Sequence, residues 1–569
     1  MNKAHWVVVC PLLAGWVLGC SSAGLGGEDD AANPGNANTG KGAAEGSGQS
    51  SSAGSSSGYL GPGSTGGSGN PTAGVAAPED DVGSASGGAS GASEDEPRPV
   101  LPSNPFVIAA HDPLSTFAAD VDTASYDIFM SSVASGSLPP AATVRLEEFV
   151  NYFHYRYQAP GADAEQPFSI SLAAAPALDP STLLFRVGIR GRLPEVEKRP
   201  ANLVFLVDTS GSMQAANKLP LVQYTLTEAL TVLDPTDKIS IVSYAGSTEV
   251  KLAPTVVAEA DVIEAAIASL SSSGGTNGSS GINLAYAQAE AGMIEGGINH
   301  VLLCTDGDFN LGITSNDALV ELIEEKRTTG ITLTALGYGS NPNDAMMERV
   351  SNAGNGTYSV IYNKGQSREY VETRLLSNLD YIAKDMKIQV EFNPEKVYAY
   401  RLLGYEDRDI ADNDFRNDSV DAGEVGAGHR VTALYQLVLA GGSLPASSLE
   451  VTPEDGDPYS GPTEVGADDY ALVKIRYKQP DAGEQDAALE VNQTLLADGV
   501  ADAWALLDED FQWAYAVASF AEILKQSPYA TPGALNTIEQ IIGQAGHDGI
   551  AEREEFRSAF GKAKTLLAK

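Results

Sequence analysis

The chain has 569 residues, and its 75 Asp and Glu against 35 Lys and Arg give a formal net charge of −40 at pH 7. A negative surplus of this size argues against nucleic-acid binding and against electrostatic adsorption to anionic lipid. The three cysteines, Cys10, Cys20 and Cys304, are too few for a disulfide framework, and Cys304 lies in an apolar run typical of a buried strand.

The N-terminus has the pattern of an export signal. Lys3 precedes an apolar run, Trp6–Leu18, which at about 13 residues is too short to span a bilayer. Gly19-Cys20 resembles the end of a bacterial lipobox, which implies removal of residues 1–19 and a lipidated Cys20. An ordinary signal peptide with an incidental cysteine is the alternative. Because Ser21 resembles the residue that follows the cysteine in outer-membrane lipoproteins, we expect a protein anchored in the envelope, at the outer membrane.

Residues 20–97 are rich in Gly, Ser and Ala and carry acidic patches such as Glu28-Asp29-Asp30. This composition cannot bury a core, so it predicts a flexible tether. About 75 such residues span a root-mean-square distance of about 45–50 Å. The tether would therefore hold the folded part away from a membrane surface.

Residues 98–160 predict a small α/β segment. Pro113–Tyr126 has the pattern of a strand followed by a helix, with Asp122 or Thr123 as the N-cap, and Val144–Phe153 predicts an amphipathic helix. Asp120 and Asp122 are two residues apart, which leaves helix capping and a metal site as two interpretations.

An apolar run, Val204–Val207, ends abruptly at Asp208, and Ser210 and Ser212 follow at alternate positions. The run predicts a buried parallel strand, and open α/β sheets bind ligands at the carboxyl ends of such strands. One carboxylate and two hydroxyls suit Mg²⁺ or Mn²⁺ better than Zn²⁺. A polar turn with Ser210 or Ser212 as a helix N-cap is the alternative.

Two later segments complete a known pattern. A glycine-rich loop contains Thr276, and a second apolar strand ends at Thr305-Asp306-Gly307. In this order the three segments resemble the metal-ion-dependent adhesion site of von Willebrand factor type A domains. The resemblance implies that Ser210, Ser212 and Thr276 touch the metal, that Asp208 and Asp306 act partly through water, and that a partner protein supplies a carboxylate to the open coordination position.

Strands and helices alternate over residues 198–380, which predicts a doubly wound, Rossmann-like sheet of ordinary domain size. The predicted strands are Lys238–Tyr244, Thr248–Ala253, Ile331–Gly337 and Gly356–Ile361, with Thr248–Ala253 as an antiparallel edge strand. The predicted helices are Leu219–Leu233, Asp261–Leu270, Ile282–Gly292, Asn316–Lys326 and Asp344–Val350.

The regions on either side of this domain are predicted to be rich in β-structure. Residues 161–197 supply the predicted strands Phe168–Ala173 and Leu183–Arg190, and residues 381–569 supply Asp385–Asn393, His429–Ala440 and Tyr470–Tyr477. Because isolated strand pairs are marginal in water, we expect the two groups to complete one sheet or sandwich into which the type A domain is inserted.

C-terminal helices are predicted at Phe511–Lys525, Ile538–Ile542 and Glu552–Leu567, the first with Trp513 and Phe520 directed to a core. The acidic run Asp407–Asp418 departs from a calcium loop at Arg416 and Asn417, so a solvated loop is preferred to a Ca²⁺ site. The segments before and after the type A domain resemble those of a bacterial family of secreted or lipid-anchored type A proteins.

No phosphate-binding loop and no His-Glu-x-x-His zinc motif occurs in the sequence. We therefore expect a non-enzymatic protein that binds, through Mg²⁺ or Mn²⁺, a protein partner offering Asp or Glu. A non-adhesive scaffold in envelope biogenesis and a hydrolase using Asp208 and Asp306 are the alternatives.

Overall fold

The computed structural model describes residues 102–161, 163–178, 181–193, 198–274, 279–307, 316–339, 342–445, 459–483, 486–545 and 549–569. The predicted signal peptide, Cys20 and tether lie outside the described residues, and so does Thr276.

The segment before the type A domain contains four strands and two helices within the described residues. They are β1 (Val107–Ile108), β2 (Leu114–Ala118), α1 (Ala124–Ser135), α2 (Leu146–Asn151), β3 (Phe168–Pro176) and β4 (Leu183–Gly191). Thr123 is the N-cap residue of α1, but its side chain makes no capping hydrogen bond. The predicted N-cap position at Thr123 is therefore confirmed, although the cap involves no side-chain hydrogen bond.

The type A domain alternates strands and helices as predicted. It contains β5 (Ala201–Asp208), α3 (Leu219–Ala229), β6 (Lys238–Tyr244), β7 (Thr248–Val256), α4 (Ala260–Ala268), α5 (Ser279–Gly292), β8 (Ile298–Thr305), α6 (Asn316–Arg327), β9 (Thr332–Tyr338), α7 (Asp344–Ala353), β10 (Tyr358–Ile361) and α8 (Lys364–Tyr370), which continues as a π-helical turn, Val371–Leu375.

The strands of this domain form one sheet in the order β10-β9-β8-β5-β6-β7, parallel except for the edge strand β7. Helices α3, α4 and α8 pack on one face, and α5, α6 and α7 on the other. Because both faces are covered, β5 and β8 are buried along their whole length and have the apolar sequence that parallel strands require. Cys304 is one of these buried residues, as predicted.

The chain after the type A domain supplies more strands and then helices. They are β11 (Tyr381–Phe392), β12 (Val397–Leu403), β13 (Gly423–Gly426), β14 (Arg430–Leu439), β15 (Ala471–Lys478), β16 (Leu489–Leu495), α9 (Glu509–Lys525), α10 (Leu535–Ala545) and α11 (Ala551–Leu567).

Two antiparallel sheets combine strands from both sides of the type A domain. One sheet has the order β1-β12-β14-β4-β3, and the other has β13-β11-β15-β16 with β2 also paired to β11. Phe185 of the first sheet packs against Phe392 of the second inside a shared core, so the two sheets form a sandwich. The predicted fold class, a type A domain inserted into a β-rich host with C-terminal helices, is confirmed.

The C-terminal helices pack on the N-terminal segment through aromatic side chains. Phe153, Trp513 and Phe556 are each at most 1% exposed, and their ring centroids lie 5.4–5.6 Å apart. Trp513 is thus a core residue, as predicted. None of the helices in the described part of the chain has the length and apolar content that crossing a membrane requires.

Candidate functional site

Asp208 and Asp306 lie at the same edge of the type A sheet. Asp208 is the last residue of β5 and Asp306 directly follows β8, and these strands are parallel neighbours with Val207 paired to Cys304. Asp208 is fully buried, and the Asp306 side chain is only 3% exposed. The Asp306 carboxylate is close enough to raise the pKa of Asp208.

The loop after β5 is held by hydrogen bonds to Asp208. The Ser210 amide donates to Asp208 Oδ1 at 2.8 Å, and the Thr305 hydroxyl donates to Asp208 Oδ2 at 3.0 Å. Ser210 Oγ and Ser212 Oγ lie 2.9 Å apart, so the two hydroxyls converge. Ser210 precedes a 3₁₀ turn, Gly211–Gln214, but its side chain makes no capping hydrogen bond. Ser210 thus occupies the N-cap position of the alternative interpretation, but its hydroxyl remains directed to Ser212 rather than to the backbone of the turn.

The glycine-rich loop contacts this same loop through its backbone. The Gly211 amide donates to the Gly274 carbonyl at 3.1 Å, and the Ser273 amide donates to the Thr209 carbonyl at 2.9 Å. Thr276 comes two residues after Gly274 and lies outside the described residues, so its ligand role stays a prediction.

Gly307 completes the second acidic segment. Its φ of 88° is in the left-handed region, and a Cβ at this position would lie 2.2 Å from the Asn343 backbone nitrogen. Its amide also donates to Thr305 Oγ1 at 3.1 Å. Within this segment Thr305 therefore orients the carboxylate of β5, Asp306 supplies a second carboxylate, and Gly307 permits the close turn.

Electrostatics at this edge favour a cation. Burial raises the pKa of Asp208 to about 6, the hydrogen bonds from Ser210 and Thr305 oppose that rise, and the Asp306 carboxylate adds to it.

Lys218 Nζ lies 2.7 Å from Asp306 Oδ2 and supplies one positive charge. The sequence analysis missed this lysine, because its distance to Asp306 depends on how the turn before α3 folds.

The donor set fits a hard divalent cation. Two carboxylates and two hydroxyls converge within the described residues, and neither histidine nor cysteine is among them. Oxygen ligands of this kind suit Mg²⁺, Mn²⁺ or Ca²⁺. Asp208, Ser210 and Asp306 are buried while Ser212 is exposed, so the site faces solvent on the Ser212 side.

The other acidic pairs have partners that the sequence did not indicate. Arg408 Nη2 donates to Asp120 Oδ1 at 3.1 Å and to Asp122 Oδ2 at 2.9 Å. Thr116 donates to Asp412 at 2.6 Å, and Arg476 donates to both carboxylate oxygens of Asp418. These bonds tie the acidic run to the sandwich, while Asp407, Asp409, Asn413 and Arg416 are exposed, so the run is a solvated loop as predicted.

Three family models match the chain: von Willebrand factor (residues 95–184), von Willebrand factor type A domain (202–373) and the C-terminal part of uncharacterized protein YfbK (377–566). The chain is 39% identical over 464 residues to uncharacterized protein YfbK of Escherichia coli K12, covering 80% of this chain and 78% of YfbK.

Solved structures are similar at lower identity. A von Willebrand factor type A protein from Catenulispora acidiphila has 14% identity and a TM-score of 0.40, covering 73% of this chain and 92% of that chain. Proximal thread matrix protein 1 of the mussel byssus, with a zinc-occupied adhesion-site motif, has 18% identity and a TM-score of 0.25, covering 31% and 44%. Type A domains commonly bind a divalent metal at this motif.

Proposed function

The chain belongs to the bacterial von Willebrand factor type A family that includes YfbK, and from that premise we propose that it binds a protein partner through a divalent cation at the type A site. The observation that carries this proposal is the convergence of Asp208, Ser210, Ser212 and Asp306 at one edge of the sheet. Membership of this family supports a protein-interaction role. The proposal adds that a divalent cation mediates the interaction and that the partner offers a carboxylate.

The donor set explains why the partner would offer a carboxylate. Mg²⁺ or Mn²⁺ takes about six oxygen ligands and keeps water at positions that the protein leaves open. Two buried carboxylates, of which Asp306 also contacts Lys218, offset much of the charge of the ion, while the exposed side at Ser212 admits an incoming ligand. An Asp or Glu of the partner would replace one metal-bound water there. No catalytic role is assigned to these residues.

The proposal includes a location. Lipidation at Cys20 would anchor the chain in the cell envelope, at the outer membrane, and the tether would place the type A site some distance from the lipid. Export would expose the site to the divalent cations of the envelope rather than to those of the cytoplasm.

Titration calorimetry of the full chain tests the metal claim. We expect wild type to bind Mg²⁺ at the type A site, and Asp208→Ala to lose this binding because one of the two carboxylates is gone. Asp261→Ala removes an exposed carboxylate on α4 and serves as the matched control. Equal Mg²⁺ affinity in wild type and Asp208→Ala would refute the site.

Capture of partners from envelope extract tests the binding claim. A partner retained with Mg²⁺, released by EDTA and absent from Asp208→Ala supports it. A partner that stays bound in EDTA, or that Asp208→Ala retains equally, contradicts it.

A further inference from the structure

A second acidic site lies where the N-terminal segment, the type A domain and the sandwich meet. A cavity of about 200 Å³, here called the junction cavity, is lined by residues 118–122, 356–357, 407–410 and 421–424 and by Asn352. None of these residues belongs to the type A metal site. The cavity is roomy enough for several waters, each of which needs about 10–15 Å³.

The walls of the junction cavity are strongly acidic. Arg408 is the cationic side chain among its lining residues, and the carboxylates in the same walls are Asp120, Asp122, Asp407, Asp409, Asp421 and Glu424. Arg408 donates to Asp120 and Asp122, and Arg145 pairs with Asp407 from outside the lining. Buried carboxylates are costly unless they are paired or bind a metal, so these walls favour an additional cation.

Two carboxylate oxygens on these walls are buried without a hydrogen-bond partner. Asp120 is 3% exposed, and its Oδ2 is unpartnered because Arg408 contacts the other oxygen. Glu424 Oε1 is equally enclosed and unpartnered, and Glu424 forms no ion pair within the described residues. An acceptor left unpaired in the interior costs about 1–3 kcal/mol, and more when it is charged. Both oxygens are therefore available to a ligand.

Glu424 also belongs to a cluster with metal-binding geometry. Asp385, Asp421 and Glu424, here called the acidic trio, each offer one carboxylate oxygen, and these oxygens all lie within 4.8 Å of one another. Asp385 has a φ of 50° where the pairing of β11 is irregular, and such bulges redirect side chains. Arg327 contacts Asp421 Oδ2 at 2.5 Å and Lys478 contacts Asp385 Oδ2 at 2.9 Å.

We propose that the acidic trio binds a calcium ion, with the free oxygen of Asp120 reaching the ion through water in the junction cavity. Ca²⁺ takes six to eight oxygens in irregular arrangements that include waters, whereas Mg²⁺ demands near-ideal octahedral geometry. Carboxylates on a bulge, a short strand and a loop, with water space beside them, suit the larger ion.

Such an ion would join parts of the chain that are far apart in sequence. Asp385 and Glu424 belong to β11 and β13 of the sandwich, Asp120 belongs to the N-terminal segment, and Asp421 is paired with Arg327 at the end of α6. Calcium would therefore fix the type A domain on its host, independently of the metal used for partner binding.

The test uses the full chain carrying Asp208→Asn, which removes the type A site as a competitor. We expect this variant to bind one Ca²⁺ in calorimetry and to show a higher melting temperature with Ca²⁺ than with EDTA. Adding Glu424→Gln should weaken Ca²⁺ binding at least tenfold and abolish the shift in melting temperature. Adding Glu264→Gln, which changes an exposed glutamate on α4, should alter neither result.

If Glu424→Gln does not fold, Asp120→Asn replaces it, since this variant leaves the acidic trio intact and should weaken Ca²⁺ binding severalfold. Absence of Ca²⁺ binding in the Asp208→Asn chain overturns the proposal. So does Ca²⁺ binding that neither Glu424→Gln nor Asp120→Asn weakens.

Discussion

Replacing Lys218 by methionine should strengthen metal binding at the type A site. Lys218 Nζ lies 2.7 Å from Asp306 Oδ2, so its ammonium group neutralises a carboxylate that the cation also needs. Methionine keeps most of the length of the side chain and removes the charge. The Asp306 carboxylate would then keep more of its negative charge for the metal.

The size of the effect follows from Coulomb's law. A cation on the Asp306 carboxylate would lie about 4 Å from the ammonium, where a divalent and a unit charge repel by about 2 kcal/mol in water. The Lys218 side chain is 26% exposed and can turn toward solvent, which lowers the repulsion. We therefore expect a gain of about 1.4 kcal/mol, which is about tenfold in affinity.

Calorimetric titration with Mg²⁺ at fixed ionic strength measures this gain. Lys251→Met is the matched control, because Lys251 is 25% exposed and is paired with Glu249 on the edge strand β7. Unchanged or weaker Mg²⁺ binding in Lys218→Met would refute the competition argument. A weaker affinity would instead show that the ammonium positions Asp306 for the metal.

Three further predictions concern the turn at the site, pH and location. Gly307→Ala should destabilise the type A domain in urea unfolding by about 2 kcal/mol or more, because a Cβ at φ 88° would meet the Asn343 backbone. The control Gly296→Ala, at φ 72° in open space, should cost about 1 kcal/mol. Equal costs for the two variants would contradict the argument from the Asn343 contact. Burial raises the pKa of Asp127 to about 7, so the folded state holds a proton that the unfolded chain releases near pH 4. The contribution of Asp127 to the free energy of unfolding should therefore fall between about pH 4 and pH 7 and level off above pH 7. Asp127→Asn should flatten this pH dependence, and parallel curves for the two proteins would be the contrary result. Cys20→Ala should move the protein from the membrane to the soluble fraction on cell fractionation, and a variant that sediments like wild type would exclude lipid anchoring at Cys20.

The type A domain could be predicted because its signals are local. Strands buried on both faces are apolar throughout, so Val204–Val207 identifies β5, and the abrupt change at Asp208 marks its carboxyl end. The same reasoning locates Asp306 after β8. Parallel strands bring these ends to one edge, which is why two carboxylates about a hundred residues apart could be placed together without coordinates.

Parts of the sandwich lacked such signals. Strand β16 is largely exposed and carries polar residues on both faces, and β12 includes the exposed Tyr398 beside the buried Arg401, so neither was predicted. The predicted helix Leu219–Leu233 ends early, at Ala229, before Asp234-Pro235. Pairing with a distant strand determines the first two elements, and a turn determines the end of the helix. The hydrophobic periodicity of the sequence does not reveal either.

The pairing of charged side chains was the hardest feature to predict from the sequence, because it depends on the tertiary structure. Asp120 and Asp122 suggested a cap or a metal site, yet Arg408, almost three hundred residues later, pairs with both. Arg401 and Glu522 are buried together at 3.0 Å, and so are Lys474 and Glu391. Removing one partner of such a pair leaves the other charge buried and unpaired, which destabilises the fold by about 3–5 kcal/mol. Because these cations are committed to interior pairs, they cannot also neutralise the carboxylates elsewhere. Carboxylates outnumber their ion-paired cations at two sites: Lys218 pairs with Asp306 beside Asp208, and Arg327 and Lys478 pair with two members of the acidic trio, so a divalent cation can balance the remaining negative charge at each site.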